Sequence, residues 1–300
     1  MDIAITGSSG LIGTALTRSL TGDGHRVLPV VRGAGGHGSV VRWDPEAGTI
    51  ESAALEGVDA VVHLAGEGIG AGRWTPEQRR RIRDSRTRGT ALLAESLAGL
   101  QRRPRVLVSG SAIGYYGDRG DEELTEASPA GVGFLPEVCQ AWEAATGMAS
   151  EAGIRVAHIR SGVVLSRKGG ALAKQLVPFK LGLGGRAGTG RQWLSWISLA
   201  DEVGAIRFLL DRDIAGPVNL TAPAPVTNAT FAKTLGSVLH RPAVIPIPRL
   251  ITRLPAGIGD LLETLLFDGA RVQPSALTAA GFEFRHPDLG EALRQILAED

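Results

Sequence analysis

The 300-residue chain reads as an α/β protein built on a doubly wound parallel sheet. Three observations predict it. Continuous apolar runs of strand length alternate with helix-length segments, as strands buried on both faces do. A glycine-rich turn, Thr6–Gly13, joins the first strand to the first helix. The alternation then stops after Ser166, where a long Gly-rich segment begins.

The elements follow in order. MDIAIT, LIGTALTRSLTGDG and HRVLPVVR form a strand, a helix ending near Gly22 and Gly24, and a second buried strand. A short strand near Val40–Trp43 precedes DAVVHLAG (59–66), a helix from about Thr75 to Gly99, and RVLVSGSA (105–112). A helix around Pro136–Gly153 leads to RVAHIRSGVVLS (155–166). Parallel strands with helical connections imply right-handed crossovers. Further on, LADEVGAIRFLLDRD reads as a helix, GPVNLTAP as a late strand and TNATFAKTLGSVLH as a capped helix. Short helices broken by Pro246, Pro248, Pro255 and Pro274 close the chain. Seven sheet strands are expected. Residues 1–166, with 198–222 returning to them, form the main domain; 167–197 and 223–300 form a smaller lobe.

Composition narrows the function classes. A net charge of +1 gives no general attraction for nucleic acid or an anionic membrane. The run RRRIRDSRTR (79–88) reads as a solvated helix face, because Glu77 and Asp84 dilute its charge. The single cysteine, Cys139, rules out an internal disulfide and a cysteine-based metal site, and the histidines show no ligand spacing. No apolar stretch reaches the roughly 18–20 residues that span a bilayer, and the first residues do not read as a signal peptide. A cytoplasmic, soluble protein is expected, with no metal.

The turn TGSSGLIG carries the first functional signal. Gly7 permits the tight turn, Gly10 lets backbone N–H groups approach a pyrophosphate, and Gly13 lets the helix pack closely on the sheet. The helix N-terminus attracts the anion. After a buried strand and before a helix, this triplet specifies a dinucleotide-binding Rossmann unit. The second strand ends in Arg32 rather than in the acid that would take a ribose 2′-hydroxyl. A guanidinium there pairs with a 2′-phosphate, which favours NADP over NAD.

TGSSGLIG, DAVVHLAG and SGSAIGYYG, in that order and spacing, resemble the extended short-chain dehydrogenase/reductases of the NAD-dependent epimerase/dehydratase group. The chain looks like the YfcH-like epimerase-family branch. The stretches that match are AGEGIGAGRWT (65–75), DSRTRGT (84–90), GGRAGTGRQWLSWI (184–197), NLTAPAPVTNATF (219–231) and RVQPSALTAAGFEFRHPDL (271–289). The resemblance covers nearly the whole chain and implies a branch-specific C-terminal domain over about 248–296. It places Gly7, Ser8, Ser9, Gly10, Leu11, Ile12 and Gly13 on the pyrophosphate, Arg32 on the 2′-phosphate, and Leu64, Ala65 and Gly66 on the adenosine side. Asp44 is an adenine-side candidate. Arg86 stands where many extended members have a structural Asn and can reach toward cofactor or a substrate phosphate. Ser109 and Ser111 fall near the superfamily's catalytic Ser or Thr. Ser198 stands where the branch often has a His. A homodimer through helices around 75–100 and 133–152 is implied by the resemblance alone.

The departure lies in GFLPEVCQAWEAAT (133–146). The superfamily keeps a Tyr-x-x-x-Lys here, whose Lys lowers the phenol pKa and binds ribose. With Glu143 setting the register, Leu135 takes the Tyr position and Cys139 the Lys position. Tyr115 and Tyr116, the only tyrosines, either face the cleft as substitute acids or pack against the glycine turn. Cys139 on an amphipathic helix reads as core rather than a thiol acid. Lys168 has no special claim, and His63 reads as a structural histidine. Phe179, Trp193 and Trp196 flank the Gly-rich segment and line either a cleft or a core. Two functions remain open at this stage. One is an NADP-dependent oxidoreductase or epimerase acting on a small carbonyl or nucleotide-linked substrate through Ser111 and Tyr115 or Tyr116. The other is a catalytically silent cofactor-binding regulator, a reading that fits the cell-division names some relatives in the branch carry.

Overall fold

In the computed structural model, which describes residues 1–33, 40–70, 72–254 and 257–298, the apolar runs become one sheet. Strand β1 (Asp2–Thr6) leads into α1 (Leu11–Gly22), then β2 (Arg26–Arg32), β3 (Val41–Asp44), β4 (Thr49–Ile50) and β5 (Ala60–His63). Gly24, at a φ of +81°, permits the turn from α1 into β2. Helix α2 (Pro76–Ala98) has the full set of start signals. Thr75 accepts from the Gln78 N–H, Pro76 opens the first turn and Glu77 faces the positive end of the dipole.

Next come β6 (Val106–Ala112), β7 (Glu123–Leu124), α3 (Phe134–Ala144), α4 (Gly147–Glu151), β8 (Arg155–Ser161) and β9 (Val163–Leu165). The helix expected over 136–153 is thus two, broken at Ala145–Thr146, where the Thr146 hydroxyl donates to the Glu143 carbonyl and meets His158 Nε2. Then come α5 (Gly170–Lys180), β10 (Trp193–Leu194) and β11 (Trp196–Ser198). After α6 (Leu199–Asp211) and β12 (Gly216–Leu220) come β13 (Val226–Thr227), α7 (Asn228–Val238) and α8 (Ile258–Leu266). The chain closes with β14 (Arg271–Val272), α9 (Ser275–Ala279) and α10 (Leu289–Ala298).

The main sheet runs β12-β8-β6-β5-β1-β2-β3-β4. It has eight strands where the sequence suggested seven, the extra one being two-residue β4, antiparallel to β3; the other seven pair in parallel. The order reverses beside β1, so a crevice opens at the carboxyl ends of β1 and β5. One face buries Ile3, Ile5, Val62 and Val108 against α1 and α6; the other buries Ala4, Val61 and Leu107 against α2 and α4. A separate core contains Phe179, Trp196, Phe231 and Leu293. Phe179 and Trp196 are therefore core residues. No helix among the described residues is long and apolar enough to cross a membrane.

Candidate functional site

The glycine turn is shaped by close approach. Gly7 sits at a φ of +68°, and a Cβ there would lie 2.8 Å from the Leu64 carbonyl carbon. A Cβ on Gly13 would lie 2.2 Å from the Gly7 oxygen, so the first turn of α1 closes down on the loop. Gly10 caps α1 without a side-chain hydrogen bond, and no acid stands in the first turn. Ser9 and Gly10 are exposed, Ser8, Leu11 and Ile12 half-buried. Uncapped N–H groups at the positive end of a helix, above an exposed Ser9–Gly10 turn, fit a pyrophosphate. Leu64, Ala65 and Gly66 extend the floor from the end of β5. Thr6 fixes that floor by accepting from the Leu64 and Ala65 N–H groups, both at 3.1 Å.

Thr6 also meets His63 Nδ1 at 2.7 Å, and Thr90 meets His63 Nε2 at 2.8 Å. Burial pushes the His63 pKa down to about 4, so the ring is neutral and structural. Ser109 pairs in register with His63; it is fully buried and its hydroxyl has no partner. It lies beneath the crevice. Arg32 ends β2 beside Trp43, exposed, with no ion pair among the described residues. Asp44 is occupied otherwise: its carboxylate accepts from the Glu46 and Ala47 N–H groups and shapes the β3–β4 turn.

A buried polar cluster lies at the carboxyl ends of β6 and β8. Parallel register sets Ser111 beside Arg160, and Glu143 of α3 joins them. Ser111 donates to Glu143 Oε1 at 2.7 Å, while Arg160 donates through Nε and Nη2 to the two carboxylate oxygens at 2.8 and 2.9 Å. The Arg160 side chain is 3% exposed and that of Glu143 13%. Burial works against the Arg160 charge, but the bonds to Glu143 and Tyr116 outweigh it and the net shift is upward. Arg160 Nη1 donates to the Tyr116 hydroxyl at 3.0 Å, which donates to Asn219 Oδ1 at 2.7 Å. The Arg160 guanidinium carbon lies 3.5 Å from the Tyr115 ring centroid.

This geometry separates the two tyrosines. Tyr116 is fully buried with Leu124 and Val272, its hydroxyl is taken at both ends, and burial pushes its pKa up. The expectation that it faces the cleft as an acid is corrected: its phenol ties β8 to β12. Tyr115 is half-buried and remains the available phenol. Leu135 and Cys139 both pack toward Gly114, in the turn that carries the tyrosines. Burial pushes the Cys139 thiol up to about 12, so it offers neither a thiolate nor the charge of a lysine. Arg86 lies behind Gly66, its guanidinium 4.9 Å from the Trp142 ring centroid.

Elsewhere Ser198 caps α6 by accepting from the Asp201 N–H, and its hydroxyl meets His286 Nδ1 at 2.8 Å. Lys168 is exposed, its backbone N–H donating to Ser166. Trp193 is half-buried and donates to Asp121. Arginines of the 79–88 run pair with carboxylates, Arg79 with Asp260, Arg83 with Glu137 and Arg88 with Asp84. Sequence reasoning missed Arg160 and Asn219, and used Glu143 only as a register mark. The available signal was a charge or amide near the end of an otherwise apolar buried strand.

Comparison with known proteins agrees with this architecture. The model of the NAD dependent epimerase/dehydratase family matches residues 3–220, and a domain of unknown function, DUF1731, matches residues 247–296. The epimerase family protein Mb2239 of Mycobacterium bovis is 44% identical over 292 residues, 97% of this chain and 96% of its own. The crystal structure of human epimerase family protein SDR39U1 (isoform 2) with NADPH is 35% identical, with a TM-score of 0.90 over 99% of each chain. A nucleoside-diphosphate sugar epimerase from Corynebacterium glutamicum is 39% identical, with a TM-score of 0.80 over 99% of this chain and 58% of that one. With a family match over most of its length and relatives this similar, the chain belongs to the NAD-dependent epimerase/dehydratase family.

Proposed function

We propose that the chain binds NADPH and acts as an oxidoreductase or epimerase on a small carbonyl or nucleotide-linked substrate, without a Tyr–Lys pair. The observation that carries the reading is the glycine turn at Gly7–Gly13, which packs its backbone tightly and leaves the helix N-terminus without a side-chain cap, free to meet a phosphate. Exposed Arg32 at the end of β2 supplies the charge that selects a 2′-phosphate. The NADPH in the 35% identical human structure supports the same choice.

NADPH, when bound, supplies a hydride to an electrophilic carbon. Ser111 would hold a neighbouring substrate hydroxyl: its own proton points to Glu143, so its lone pairs accept from that group. Arg160 holds Glu143 in place through two parallel bonds. Tyr115 is the phenol left to donate a proton to a substrate carbonyl. A second reading, a protein that binds NADPH without turning it over, rests on Leu135 and Cys139 and on the burial of Tyr116.

The test is titration of the purified chain with NADPH and NADH, read by energy transfer from tryptophan to the nicotinamide. NADPH is expected to bind more tightly, and Arg32→Ala to abolish the preference. Binding of neither nucleotide overturns the reading. Turnover in a carbonyl screen should fall with Ser111→Ala and with Tyr115→Phe; turnover that survives both changes removes these residues from the mechanism.

A further inference from the structure

Among the described residues the Arg86 guanidinium makes no ion pair with a carboxylate, although Glu67 lies near enough to act on it. Nη1 donates to the carbonyl oxygens of Glu67 at 2.8 Å and Ile82 at 3.1 Å. A guanidinium carries five N–H donors, and no protein acceptor takes Nε or Nη2 among the described residues. The group lies over the Trp142 ring, and its carbon is 3.4 Å from where a Cβ on Gly66 would stand. Burial pushes its pKa down, with the Cys139 thiol and the Glu67 carboxylate acting the other way. Neither neutralises it. The thiol is protonated at neutral pH, and Glu67 Oε1 accepts from Gln78 while making no ion pair with Arg86.

Neither Nε nor Nη2 is among the buried side-chain atoms left without a partner, so these donors are open to a ligand that enters the crevice. The position indicates which ligand. Trp142 lies one helical turn after Cys139 on α3, so the guanidinium covers the helix face that carries the thiol. The guanidinium thus stands between Gly66, just past the end of β5, and the face of α3 that carries Trp142 and Cys139. We propose that Arg86 supplies from α2 the positive, hydroxyl-binding group that α3 lacks at Cys139, and that it holds the ribose on the nicotinamide half of bound NADPH. The inference rests on the proposed cofactor and gives Arg86, a cofactor-side candidate from the sequence, a specific role there.

Calorimetric titration of the full chain with NADPH and with adenosine 2′,5′-bisphosphate tests it, the second ligand lacking the nicotinamide half. Arg86→Gln should weaken NADPH about tenfold, the loss of a charge-assisted hydrogen bond, and leave the bisphosphate within about twofold. Cys139→Lys alone should lower Tm, because it sets an ammonium against Arg86. Arg86→Gln with Cys139→Lys should regain most of the NADPH affinity. Equal loss of both ligands in Arg86→Gln, no loss of either, or no recovery in the double variant overturns the proposal. Arg86→Lys guards against misfolding: it should bind NADPH better than Arg86→Gln, and equal binding by the two also overturns it. If the unaltered chain binds the bisphosphate and not NADPH, this inference falls; if it binds neither, the cofactor reading falls with it.

Discussion

Arg160→Met should be the most damaging single change in the buried polar cluster that adds no bulk. It removes two bonds to Glu143 and one to Tyr116, at 2.8, 2.9 and 3.0 Å. It also leaves the Glu143 carboxylate, 13% exposed, with the Ser111 hydroxyl as its remaining side-chain partner. Breaking a buried pair costs about 3–5 kcal/mol, mostly from the charge left behind. The partial exposure of Glu143 argues for the low end, and loss of the guanidinium from the Tyr115 face adds about 1 kcal/mol. The sum is about 4 kcal/mol, a fall in Tm of roughly 6 °C for a chain of this size. Arg160→Met with Glu143→Met removes the stranded charge and should recover about half of the loss. The assay is urea and thermal unfolding of the three variants and the unaltered chain. A loss below about 1 kcal/mol in Arg160→Met would mean that solvent screens the pair. A double variant no more stable than Arg160→Met would show that the stranded carboxylate is not the source of the cost. Either result refutes a buried ionic clamp.

Other outcomes follow from the same geometry. Glu202 is fully buried, accepts from Ser161 at 2.6 Å and leaves Oε2 without a partner; burial pushes its carboxyl up to about 8. Between the ordinary value of 4.5 and about 8 the folded state keeps a proton that the unfolded state releases, so this group lowers stability as pH rises through that window. Glu202→Gln should remove that slope and raise Tm at pH 8; parallel Tm–pH curves for the two proteins count against it. The Cys139 thiol, pushed up to about 12 and buried, should stay unmodified by a disulfide reagent at pH 8 until denaturant is added. Rapid labelling of native protein would contradict that environment. Gly13→Ala drives a Cβ to within 2.2 Å of the Gly7 oxygen and should weaken NADPH more than tenfold, at a cost of about 1–3 kcal/mol in stability. Unaltered NADPH affinity in a folded Gly13→Ala protein would remove the glycine turn as the cradle.

What the sequence conveyed and what it withheld divide along one physical line. The strands, their parallel character and the glycine turn are local: an apolar run of strand length, a cap, a position that excludes a Cβ. Each is written in adjacent residues. The fate of Tyr116 is not local. Whether a phenol after β6 faces a cleft depends on β14, more than 150 residues downstream, which pairs with β7 and buries the ring with Val272. Asp44 shows the same limit from the other side, since its Oδ1 accepts from the Glu46 and Ala47 N–H groups, a local role that the adenine-side expectation did not include. The break in the helix over 136–153 was also hidden, because it depends on Thr146 meeting His158 of β8. Arg160 reads in sequence as an oddity in an apolar strand; its meaning appears only when β6 and α3 bring Ser111 and Glu143 to it.

The two arginines also bear on whether the missing Tyr–Lys pair left a relic. A decayed site accumulates apolar filling, since replacing a buried ion pair with hydrophobic groups is often neutral or stabilising. Here Leu135 fills one vacated position in that way, yet beside it stands a polar chain of Ser111, Glu143, Arg160, Tyr116 and Asn219 whose links are all 2.7–3.0 Å. Asn219 continues it into the C-terminal region, donating through Nδ2 to the Gln273 carbonyl, while Glu126 accepts from both the Asn219 and Ala276 N–H groups. Satisfied buried networks of this kind fix one arrangement and tolerate no partial loss. Within it the Arg160 charge is balanced by Glu143, while Arg86 stands apart on α2 over the Trp142 ring. A polar network kept whole beside an apolar Leu135 argues for a site rebuilt on other residues over one abandoned.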